Sequence, residues 1–103
     1  IDFTKGNQER IEKMVNMFLR DTPLELKRLR QLYIEKNFIE LGTLVHAFKA
    51  KFTYMGMPHL SDLAKKTEHN AKSLENLQDI DGYLSTLESQ SELAYEELKK
   101  LLK

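Results

Sequence analysis

The sequence predicts an all-α fold, an antiparallel up-down four-helix bundle with an additional N-terminal helix, and three observations predict it. Apolar residues recur at steps of three and four along most of the chain, which is the spacing of one helix face. Only two prolines and four glycines interrupt the sequence, and they fall where a series of helices needs punctuation. The connections between periodic segments are short, and short connections force consecutive helices to lie antiparallel.

The first helix is expected from Asn7 to about Leu19, with Ile11, Val15, Phe18 and Leu19 at helical spacing. Asp21-Thr22-Pro23 then reads as its end and as the start of the next helix. Thr22 has the side chain of an N-cap, Pro23 sits where a missing N–H costs nothing, and Glu25 completes a capping box. The second helix runs to about Lys36 and turns Leu26, Leu29, Leu32 and Tyr33 inward.

The third helix spans about Phe38 to Met55, and Phe38, Leu41, Val45, Phe48, Phe52 and Met55 form its buried stripe. Gly56-Met57-Pro58 breaks it, and Pro58 suits the first turn of a fourth helix. That helix presents Leu60, Leu63, Ala64, Thr67, Ala71 and Leu74 on one face. Asn76 to Asp79 reads as a turn. From about Ile80 the last helix carries Ile80, Leu84, Leu87, Ser91, Ala94, Leu98 and Leu101 on a seam of coiled-coil type. The first helix is expected across one end of the bundle made by the other four. Stripes at this spacing read as core rather than as cofactor sites, and no ligand cavity is expected.

A chain of 103 residues has room for one hydrophobic core, so residues 1–103 read as a single domain. Sixteen basic residues balance sixteen acidic ones, which argues against nucleic acid as a partner. The lack of cysteine excludes disulfides and thiolate chemistry and suits a reducing compartment. No apolar run approaches the roughly 20 residues that span a bilayer, and no signal-peptide pattern opens the chain. A cytoplasmic monomer without membrane contact is the expectation. The chain opens on Ile1 rather than methionine, and is expected to be an excerpt from a longer protein.

The chemistry-bearing residues cluster on the third and fourth helices. At about 100° per residue, His46 falls roughly 120° from the centre of its helix's buried stripe, at the edge of the core and open to water. Gly42 and Ala50 on its row are small, leaving the ring approachable, and Lys49 follows one turn on. A neutral imidazole has the lone pair needed to attack phosphorus, and an ammonium group beside it suits phosphate oxygens. On the fourth helix Lys65, Glu68 and Lys72 share a face that can border His46 if the two helices are antiparallel neighbours. Glu68 could then accept a hydrogen bond from one ring N–H and fix the tautomer, with Lys65 and Lys72 adding positive charge. Taken alone, a His-x-x-Lys pair also reads as a solvated helix face.

Leu44-Val45-His46-Ala47-Phe48-Lys49-Ala50, then Tyr54-Met55-Gly56, then Leu60 to Glu68, resembles the histidine-containing phosphotransfer family over nearly the whole chain. The upstream Phe18-Leu19, Thr22-Pro23 and Leu26 fit the same resemblance. The resemblance implies that His46 is the phospho-accepting residue, Lys49 the phosphate-stabilising cation and Glu68 the ring-orienting partner. It also implies a phosphoryl carrier rather than an enzyme, exchanging phosphate with aspartates of response-regulator receiver domains or with a hybrid histidine kinase. The chain itself then binds no cofactor; magnesium belongs to the receiver. The docking surface is expected around His46 at Ile39, Gly42, Thr43, Ala50 and Thr53, with Lys65 and Lys72 toward the partner. Ala50 departs from the family's more usual glycine, so the fit of the receiver is the point this departure touches.

Three alternatives compete. The phosphoacceptor segment of a histidine kinase normally has an acidic residue directly after its histidine and a proline soon after, whereas Ala47 follows His46 and the next proline is Pro58. A noncatalytic bundle of the same fold would have no use for Lys49 and Glu68. Metal binding lacks an inward-facing histidine pair at bundle spacing, and His59 and His69 read as solvated residues without function.

Overall fold

The computed structural model describes residues 8–101 of the chain, and over them the fold is all-α, four helices and no strand. The helices are α1 (Gln8–Ile34), α2 (Phe38–Tyr54), α3 (Pro58–Ser73) and α4 (Gln78–Leu101). Each packs on two neighbours in a closed ring, α1 on α2 and α4, and α3 on α2 and α4. The bundle measures 42 × 20 × 18 Å, and its long dimension is close to the roughly 40 Å of a 27-residue helix.

The expected N-terminal helix is not a separate element. Its expected start at Asn7 lies outside the described residues, and from Gln8 one helix runs without a break through Pro23 to Ile34. The apolar register explains why. Val15, Phe18, Thr22, Leu26 and Leu29 are all buried, and their steps of three and four pass through the proline in phase. Two helices meeting at Thr22 would have broken that stripe and uncovered Phe18, which packs edge-on against both Phe52 and Tyr95. Burial of a continuous face therefore outweighs the backbone hydrogen bond that Pro23 removes. Thr22 is not a cap: its hydroxyl is buried with no hydrogen-bond partner among the described residues. Glu25 is not half of a capping box either; it pairs with Lys51 of α2.

The other helices follow the apolar pattern closely. Asn37 caps α2 by accepting from the Glu40 amide at 3.3 Å. Leu41, Val45, Phe48 and Phe52 are buried beneath it, with Phe48 and Phe52 ring to ring at 5.5 Å. At the far end Gly56 takes φ 73°, the Met57 amide donates to the Phe52 carbonyl at 2.8 Å, and the Gly56 amide donates to Thr53 at 3.1 Å. These are the two bonds of a Schellman motif, and Phe52 and Met57 at its two ends are both buried in the core. Pro58 then opens α3 at its first turn.

Leu74 departs from the expected inward face of α3. It stands one residue past the helix in a left-handed conformation with φ 56°, which swings its side chain out to 63% exposure. α4 begins two residues earlier than the turn reading placed it, and Ile80, Leu84, Leu87, Ser91, Ala94 and Leu98 are buried along its seam. Arg30 of α1 clamps α4 by reaching Asp81, Ser85 and Glu88.

Candidate functional site

His46 and Lys49 stand one turn apart on α2, and Glu68 and Lys72 stand one turn apart on α3. The tight Gly56 connection lays the two helices side by side, so that these pairs meet. The Glu68 carboxylate is their common point. Nδ1 of His46 lies 2.6 Å from Oε2, and Nζ of Lys72 donates to the same oxygen at 2.9 Å. Nζ of Lys49 donates to Oε1 at 3.0 Å. The Glu68 side chain is 9% exposed and the imidazole 61% exposed, so a sheltered acid holds a largely uncovered ring.

Burial pushes the Glu68 carboxyl toward its neutral form, but hydrogen bonds from Lys72, Lys49 and His46 outweigh it and bring the pKa down to about 2. The acid is therefore ionised at neutral pH and can only accept. A neutral imidazole bonded to it must carry its proton on Nδ1, which leaves the lone pair on Nε2. Chemically, this is a nucleophilic nitrogen of fixed identity on an exposed ring, beside two ammonium groups.

His46, Lys49, Lys65, Glu68 and Lys72 line one open groove between α2 and α3. Three lysines against one carboxylate make the groove electropositive. Of the other candidate residues, Ile39 is 85% exposed, and Thr43 and Ala50 are exposed on the outward side of α2. Thr53 is exposed but engaged: its hydroxyl lies 2.9 Å from the Lys49 carbonyl and 2.6 Å from the Ser61 hydroxyl. Gly42 is not part of the outer surface. It is buried, and a Cβ built on it would meet Lys72 Cγ at 3.5 Å and Ala71 Cβ at 3.7 Å.

The family model of the Hpt domain matches residues 13–102. The chain belongs to the Hpt domain family. This gives the Hpt domain a phosphotransfer role in a phosphorelay, as a phosphoryl carrier and not an autonomous kinase, with partners of the two-component class. Comparison with curated proteins and with solved structures finds no match.

Two further residues of this Hpt domain border the site: His69, which the sequence gives as a solvated residue and which is exposed, and Ser73, which the sequence does not single out. His69 and Ser73 line the same groove as His46. His69 is adjacent to Glu68, and Ser73 is one place beyond Lys72, so the signal was the face occupied by Lys65, Glu68 and Lys72. Their polar neighbours made them look like ordinary solvent-facing residues. His59 does not line this groove. Among the described residues no cluster of three or more histidine or acidic side chains is placed to hold a metal ion, and no helix is long and apolar enough to cross a membrane.

Proposed function

We propose that this domain carries its phosphoryl group on Nε2 of His46 and exchanges it with the aspartate of a response-regulator receiver domain, free-standing or part of a hybrid histidine kinase. The observation that supports this most is the 2.6 Å bond between Nδ1 and a buried, ionised Glu68 on a ring that is 61% exposed. In the forward step the Nε2 lone pair attacks phosphorus of the aspartyl phosphate, an N–P bond forms, and the P–O bond breaks. Its electron pair leaves with the aspartate carboxylate. The proton stays on Nδ1, so the ring becomes a phosphorylated imidazolium whose positive charge faces Glu68. Such a transfer needs in-line positioning and charge neutralisation more than covalent machinery. Glu68 positions the ring, and Lys49 is the cation for the phosphoryl oxygens. The receiver brings the magnesium ion.

Docking centres on the outward strip of α2, where Ile39, Thr43 and Ala50 offer small or apolar surface around His46. Lys65 lines the groove and has no charged partner among the described residues, which suits the acidic pocket of a receiver. The test is to incubate the domain with a radiolabelled phospho-receiver and to look for label that is acid-labile and base-stable. The parent takes label and His46→Gln does not. Equal labelling of His46→Gln overturns the acceptor assignment, and a parent that binds the receiver without taking label is an interaction bundle instead.

A further inference from the structure

Glu68 holds two lysines, but on different oxygens, and that difference separates their tasks. Lys49 bonds Oε1, which His46 does not use. Lys72 bonds Oε2, the oxygen that also accepts from His46 Nδ1. If Lys49 moves to a phosphoryl group on Nε2, the His46–Glu68 bond is left intact. The departure nonetheless removes one of two cations from a carboxylate that is 9% exposed, and a sheltered charge without a cation is strongly unfavourable. Lys72 is the lysine that stays, on the same oxygen that faces the His46 ring. It lies one turn along α3 from Glu68, so the two charged groups of this pair belong to one helix.

A seat for Lys72 is built into α2. Its stem lies across Gly42, where a Cβ would come to 3.5 Å from Cγ and 3.9 Å from Cε. A methyl group fits there at ordinary van der Waals distance, whereas a longer side chain would lift the lysine from its place.

We propose that Lys72, seated across Gly42, is the standing counter-ion of Glu68: a positioning residue that keeps the carboxylate aimed at His46 Nδ1 while Lys49 trades Oε1 for phosphoryl oxygen. The assignment rests on the reading of His46 as phospho-acceptor, but its structural half is measurable without phosphate.

The experiment reads the His46 tautomer by 15N NMR of the imidazole in the unphosphorylated domain. Lys49→Met imitates the state in which that lysine has left, and it keeps the parent's Nδ1–H tautomer. Adding Lys72→Met to it brings the two tautomers to comparable populations, and adding Lys72→Arg instead restores the parent ratio. Gly42→Leu in the Lys49→Met background behaves as Lys72→Met does, and Gly42→Ala does not. Scrambling by Lys49→Met alone, or an unchanged ratio in the double variant, overturns the proposal. With Lys49 intact, Lys72→Met slows phosphate acceptance about tenfold, as loss of an orienting partner does elsewhere. That loss persists at 1 M salt, where a merely steering charge is screened over about 3 Å; a loss that vanishes in salt assigns Lys72 to partner attraction instead. Failure of His46→Gln to block labelling would sink the acceptor reading and leave the tautomer result standing.

Discussion

Nδ1 of His46 and Oε2 of Glu68 face each other at 2.6 Å across the α2–α3 interface, and the acid's ionisation is what this contact depends on. Glu68 titrates near 2 in the folded domain, below the ordinary glutamate value of about 4.3. A depressed carboxyl stabilises the fold fully above its unfolded pKa, and that stabilisation is lost as pH falls through the folded value. We expect the stability advantage of the parent over Glu68→Gln to be constant above about pH 5 and to shrink between about pH 4.5 and 2. The shift sets an upper bound of about 3 kcal/mol, since three partly exposed donors share it. Urea titrations of both proteins across that range measure it, and parallel stability curves would contradict the ionised-acid picture.

Thr22 and Pro23 test the single long helix by the sign of their effects. A buried hydroxyl without a partner is better replaced by a methyl, so Thr22→Val should stabilise by about 1 kcal/mol. Pro23→Ala should stabilise by about 2 kcal/mol, because the exposed ring interrupts the helix ladder there. Were Thr22 an N-cap and Pro23 the first residue of a helix, the first change would cost about 1 kcal/mol and the second would gain little. Thermal denaturation of the two variants decides between these signs.

The two ends of the α2 connections make opposite predictions. Gly56 occupies a left-handed position at φ 73°, and Gly56→Ala should destabilise by about 1 kcal/mol. Lys36 occupies the equivalent position after α1 at φ 60°, with the Asn37 amide donating to Leu32 and the Lys36 amide to Tyr33. Lys36→Gly should therefore stabilise by up to about 1 kcal/mol. Chemical denaturation of the pair reads both, and the same sign for both would contradict the capping geometry.

Lys49→Ala should leave the fold intact by circular dichroism, since its ammonium is at the surface of the groove, and should shorten the phosphohistidine lifetime about tenfold. Release of label from the purified phosphoprotein follows this directly. An unchanged lifetime removes Lys49 from the phosphate's surroundings.

Helices α2, α3 and most of α4 were legible because their stripes and their glycine and proline boundaries agree. α1 was misread where they disagree: Thr22-Pro23 has the local chemistry of a helix start, but the stripe from Val15 to Leu29 passes through it in phase, and the stripe prevails. Leu74 was misread because periodicity cannot show that the backbone turns left-handed one residue after Ser73. The nearness of Glu68 to His46 followed from spacing once α2 and α3 were taken as antiparallel. Gly42 was placed on the outer surface because a sequence row shows angle around one helix and not the neighbour that covers it. The choice of oxygen by Lys49 and Lys72, like the seat on Gly42, depends on side-chain paths that no spacing rule supplies.

The Schellman turn at Gly56 joins the only two helices that bear the site, so every charged group at its centre falls between positions 46 and 72 of the chain. The chemistry thus travels as one uninterrupted hairpin cassette, while α1 and α4 serve as its backing. Exchange of those outer helices with another bundle would test whether a signalling chain can change its chassis and keep its reactive centre.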